Sequence, residues 1–146
     1  MRSYDKVIPE RLSISFGGYF GPSFGVELEG AALTYRHSKR VQDFPPEWES
    51  GSEEIRPASE RWPAFRAKLD GLNFWCWHAY YPNSVVCDGT GWSLKTAYFD
   101  KANISGGSNC FPARDGSSIA ITEDRKDGTF DKFCRSISRL SGRTFR

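Results

Sequence analysis

The chain has 146 residues, the length of one domain able to bury its own core without metal or disulfide staples. A composition of 38% hydrophobic and 26% charged residues is that of a globular protein, and a net charge of +2 is too small to argue for nucleic acid. Aromatic residues reach 15% while Met occurs once, which points to a rigid, β-rich core.

The opening stretch "MRSYDKVIPERL" has charges and no apolar h-region, and no run approaches the ~20 apolar residues of a membrane span. A soluble cytoplasmic protein with no membrane partner is expected. In that compartment Cys76, Cys87, Cys110 and Cys134 should be reduced thiols. Their spacing contains no CxxC pair, so neither a metal site nor a cofactor is expected.

Residues 11–37 alternate apolar and polar side chains at period two. Breaks at Gly17-Gly18 and Gly21-Pro22 and a turn signal at Glu29-Gly30 divide them into three short strands. Residues 38–58 lose the periodicity, gather prolines and acids, and read as a connecting loop. A helix is expected over about 59–72, with Ser59 as N-cap, Pro63 in the first turn and Gly71 as C-cap. Trp62, Phe65, Leu69 and Leu72 would form its apolar face. Strands follow over 74–81 and 91–99, joined through Pro82, Asn83 and the 87–91 turn. Another ends near Gly106, and a short one covers Ser118–Thr122. A helix over 129–141, capped by Thr129, closes the chain. Strands grouped in runs imply α+β: a single domain over 1–146, mainly antiparallel, with both helices on one face of the sheet.

Three of the five tryptophans lie within "NFWCWHAYYPNSVVCDGTGWSL", residues 73–94. In an extended strand Trp75 and Trp77 would share one face, and Phe74, Cys76, His78 and Tyr80 the other. The simplest reading is cross-strand aromatic packing against the helices. The alternative is a small-molecule sensor or enzyme pocket around His78, Tyr80 and Asp88, with Asn109 nearby. A Cys76–His78 pair or Cys110 as nucleophile lacks any flanking signature of an activated thiol. "CDGTGW" matches neither a calcium-binding nor a phosphate-binding loop.

The segment 59–142 resembles a domain of uncharacterised bacterial proteins. The resemblance is carried by Trp75-x-Trp77, Tyr81-x-Asn83, Asp88-Gly89-Thr90-x-Trp92 and Gly107-Ser108-Asn109 with Pro112. It implies the fold and a bacterial or phage origin; it implies no chemistry.

Two further features bear on partners. Residues 47–60 hold five glutamates against Arg56, a formal net of −4, beside Phe44 and Trp48 as aromatic anchors. Glu53 and Glu54 sit in that loop. In the last helix, Phe130, Phe133, Cys134, Ile137 and Leu140 gather on one side. Lys132, Arg135, Arg139, Arg143 and Arg146 gather opposite, if the helix runs to the end. A non-catalytic binding protein of the inhibitor, immunity or adaptor type is the expected class. Its partner would be a protein rather than a nucleic acid, because the chain shows no other nucleic-acid motif, and an acidic one if the basic stripe is what it contacts.

Overall fold

The computed structural model describes residues 8–18, 23–38, 52–81, 90–108, 110–120 and 128–145. The strands of the large sheet are β1 (Arg11–Gly18), β2 (Ser23–Glu29), β3 (Ala32–Ser38), β4 (Glu53–Ile55), β5 (Tyr80–Tyr81), β6 (Thr90–Ala97) and β7 (Ala102–Ser108). They lie in the order β4-β3-β2-β1-β6-β7-β5. Every neighbouring pair is antiparallel except β5 with β7. A separate hairpin joins β8 (Cys110–Pro112) to β9 (Ser118–Ala120). The helices are α1 (Arg61–Gly71) and α2 (Thr129–Ser141), with a 3₁₀ turn at Phe74–Cys76. The fold is α+β. Among the described residues no helix is long and apolar enough to cross a membrane.

The register explains the two faces of the sheet. Tyr35, Val26, Ile14, Leu94 and Ser105 form one cross-strand row, and all are buried. Phe24, Phe16 and Trp92 form the next. A strand pleat sends alternate residues to opposite sides, so Ser13, Ser15, Glu27, Ser93 and Lys95 lie on the open face. Both helices cover the other. α1 buries Trp62, Phe65 and Leu69, and α2 buries the five apolar side chains expected of it. Phe130 of α2 is the wedge: its ring lies 4.8 Å from those of Trp92 and Phe111 and 5.9 Å from Phe16.

The sheet corrects several sequence expectations. Residues 74–81 are not one strand. Asn73 turns the chain after α1 with φ 56°, a left-handed conformation that Asn tolerates better than most residues. Cys76 and Trp77 then donate amides back to Asn73 and Phe74. A 3₁₀ turn aligns residues three apart, so Phe74 pairs with Trp77 (rings 4.8 Å apart) where an extended strand would have aligned Trp75 with Trp77. Within this stretch only Tyr80 and Tyr81 pair into the sheet, as β5. Part of the 38–58 loop is ordered as β4, which adds to the sheet edge through Leu33–Ile55 and Tyr35–Glu53.

The caps differ too. Glu60 and Gly128 occupy the N-cap positions in place of Ser59 and Thr129, and neither helix has a side-chain cap bond. Gly71 is the last helical residue of α1, not its cap. α2 stops at Ser141, where Gly142 takes φ 70°, so its basic side chains do not continue helically to Arg143. The chain instead folds back. Phe145 enters the core between Phe16 and Phe24, and Thr144 accepts the Tyr35 hydroxyl at 2.6 Å.

One glycine is required by close approach. The Trp92 indole donates to the Cys110 carbonyl across Gly107, and a Cβ there would lie 2.6 Å from both groups. Trp77 and Trp92 are 5% and 3% exposed, while Trp75 is half-buried. In urea melts, Trp77→Ala and Trp92→Ala should each lose about 3–5 kcal/mol of stability, and Trp75→Ala should lose less. Unchanged midpoints for the first two would contradict this packing.

Candidate functional site

α1 and α2 pack against each other with their buried stripes turned to the sheet. Where two cylinders meet, their outward surfaces leave a crease. It is floored here by small or apolar side chains: Ala64 and Phe65 of α1, Ser136 and Leu140 of α2. This end is a crevice of about 110 Å³ with Arg61, Lys68 and Arg139 around it. Past Ala64 and Lys68, which line both, the crease opens into a cleft of about 590 Å³. Arg114 and Lys132 flank that wider part, above Ala67, Gly71 and Leu72.

Five cations thus line one groove, and its described lining holds no carboxylate. The reason lies in how each helix places its one acid. Asp70 accepts from Arg66 Nε at 3.1 Å and from the Trp75 indole at 2.7 Å. Asp131 is paired with Arg135 at 2.9 Å, one turn along the same helix. Both are committed to neighbours outside the groove. Arg61, Lys68, Lys132 and Arg139 make no ion pair among the described residues. Like charges around a concave, low-dielectric floor focus a positive potential there.

The expected contact residues separate. Arg139 belongs to the groove, and Lys132 joins it. Arg135 lies outside, held by Asp131 and 70% exposed. Glu53 is half exposed and already engaged: it accepts from Arg143 Nε at 2.6 and 3.1 Å, which ties Arg143 to β4. That hydrogen bond holds the Glu53 carboxyl below the usual carboxylate range. Glu54 is exposed, with Arg56 3.6 Å away. Phe44 and Trp48 fall outside the described residues. The groove also recruits Arg61, Lys68 and Arg114. The first two share a helical face with Ala64, a spacing that the sequence contained; nothing local to Arg114 announces it.

The alternative pocket is not assembled by the described residues. His78 and Tyr80 are both exposed. The His78 ring stacks on Tyr81 at 5.2 Å, and its backbone amide donates to the Tyr81 hydroxyl, which itself donates to the Gly116 carbonyl. Burial holds the Tyr81 phenol above its ordinary range. Tyr80 lies on the open face of the sheet instead. Asp88 and Asn109 fall outside the described residues. Cys110 and Cys134 are buried and Cys76 is exposed on its turn; Cys87 is outside the described residues.

A second charged cluster braces α1. Arg66 reaches across to the β6–β7 turn and donates to both Asp100 oxygens, at 3.0 and 2.9 Å. Its guanidinium carbon lies 4.5 Å from the Tyr98 ring centre and 5.2 Å from that of Trp75. Burial, the largest cause, raises the Tyr98 phenol, whose hydroxyl has no hydrogen-bond partner among the described residues. All three guanidinium nitrogens of Arg66 bond to the two carboxylates while its plane lies over two rings, so this cluster is structural.

No protein-family model, no curated protein and no solved structure matches the chain.

Hydrogen bonds from Arg66 hold Asp100 below the ordinary carboxylate range. A carboxyl whose folded pKa is depressed contributes stability above its unfolded value, near 3.9. That contribution is lost as pH falls through the folded value. Wild type should therefore exceed Asp100→Asn in stability at neutral pH, and the gap should close as pH drops below about 4. Paired denaturant melts across pH would show it; a gap constant from neutral to acid pH would refute the ion pair's role.

Proposed function

We propose that the chain is a non-catalytic binding protein, of the inhibitor, immunity or adaptor kind, that seats an acidic segment of a protein partner in the groove between α1 and α2. The single observation behind this reading is the groove's composition: Arg61, Lys68, Arg114, Lys132 and Arg139 around an apolar floor, with no carboxylate among its described lining. An apolar floor with a charged rim is the anatomy of a protein interface, since apolar contacts supply affinity and the rim supplies orientation and encounter rate. A phosphate-backbone ligand would have little use for Phe65, Leu140 and Leu72 beneath it. The resemblance to bacterial domains and the cytoplasmic setting belong to the same reading.

A suitable probe is a short amphipathic peptide alternating Asp or Glu with Leu, compared with its Lys-substituted counterpart and with duplex DNA. The acidic peptide should bind at low salt and weaken as salt screens the rim. Arg61→Glu combined with Arg139→Glu should reduce that affinity about tenfold or more, or ~1.4 kcal/mol, with an unchanged melt. Equal affinity for the double variant, or tighter binding to duplex DNA than to the peptide, would overturn the proposal.

A further inference from the structure

The face of the sheet turned away from the helices is a second surface, distinct from the groove. Its register can be written across the strands. One row runs Ile104, Lys95, Ser13, Glu27, Thr34. The next runs Tyr80, Gly106, Ser93, Ser15, Gly25, Arg36. Beyond it, Ser23 and Ser38 are already buried, which confines the open area to these rows and the edge below them.

Three properties set this face apart. Its centre is made of small side chains, with Ser15 and Ser93 joined through their hydroxyls at 3.2 Å. The large apolar side chains most exposed among the described residues gather at its β7 side: Ile104 at 62%, Tyr80 at 63% and, in the adjoining turn, Phe99 at 76%. Grouped exposed apolar side chains, unlike scattered ones, mark contact sites. Finally, in the row through Ser13 the charges are divided about β1, with Arg11 on β1 at the edge below and Arg36 on β3 in the next row. Lys95 lies one strand to one side of Ser13 and Glu27 one strand to the other. Both are exposed, and neither makes an ion pair among the described residues.

We propose that this open face is an interface between two copies of the chain, related by a twofold axis running along β1, with Lys95 of each copy opposite Glu27 of the other. Rotation about an axis lying in the interface and parallel to β1 keeps each row on itself and exchanges the two sides, placing β6 over β2 and β7 over β3. Ser13 and Ser15 then meet their own counterparts, where small side chains let the sheets approach. Ile104 meets Thr34, and Gly106 leaves room for Arg36 beside the exposed Tyr80 ring. Lys95 meets Glu27 twice, as an isologous interface requires. The strands of the two sheets run in the same direction, as aligned sheet packing prefers. A partner of uniform charge would leave either Lys95 or Glu27 facing its own sign; a second copy satisfies both.

The test uses the full chain in sedimentation velocity over a dilution series. Wild type should reach twice its 16.5 kDa mass at the concentrated end. Lys95→Glu and Glu27→Lys should each remain monomeric at that concentration, with wild-type melts. An equimolar mixture of the two variants should recover the dimer, because each supplies the charge that the other's partner position lacks. A monomeric wild type throughout, single variants that still dimerise, or a mixture that stays monomeric would each overturn the proposal. The acidic-peptide affinity of the groove should not change in either variant, which separates this interface from the groove.

Discussion

Everything on the helical side depends on one contact, the seating of Phe130 among Trp92, Phe111 and Phe16. Trp92 is held from behind by its indole bond to the Cys110 carbonyl, and Gly107 must lack a side chain for that bond to exist. Phe133, one turn along from Phe130, meets Trp77 at 5.3 Å and Phe74 at 5.3 Å. A single helix face thereby grips the sheet, the small hairpin and the 3₁₀ turn. Aromatic pairs at these separations add about 0.5–1.5 kcal/mol each beyond the area they bury. α1 reaches the same core through Trp62 and Phe65 and is braced from outside by Arg66 on Asp100. The groove's width follows from that arrangement, because neither helix can shift without opening the aromatic cluster.

The sequence made most of this architecture legible where periodicity was long. The alternation through 11–37 and the 3.6-residue spacing of Phe130, Phe133, Cys134, Ile137 and Leu140 each left one reading, and β1–β3 and α2 have it. Failures came where local geometry outweighed pattern. "FWCWHAYY" alternates well enough for a strand, yet Asn73 in a left-handed conformation redirects the chain, and a tight turn buries Phe74 and Trp77 together. Aromatic side chains are equally at home in both, so composition could not decide. β4 is three residues long, too short for any period to show.

The site was less legible than the fold, for a physical reason. A groove between helices is made by packing two elements nearly sixty residues apart, and only the α2 half of its charge was marked by a helical stripe. Arg139 and Lys132 were readable in that way. Arg61 and Lys68 became part of the same surface only once α1 lay beside α2, and Arg114 only once the β8–β9 hairpin brought it near. Charge also had to be subtracted. Arg135, Arg143 and Glu53 look available in sequence, but each is taken by an intramolecular partner. On the two helices, what is left without an ion pair among the described residues, rather than what is charged, marks their share of the groove.

α2 and the sheet behave as one unit around Phe130, so that the groove is preformed. Native-state hydrogen exchange measures this directly, because amides that open only with the whole molecule share its global stability. The amides of Phe133–Leu140 in α2 and of Trp92–Thr96 in β6 should exchange with one common free energy and one common denaturant dependence. An α2 that opens well below β6, with little denaturant dependence of its own, would mean that Phe130 does not tie helix to sheet and would contradict a rigid groove.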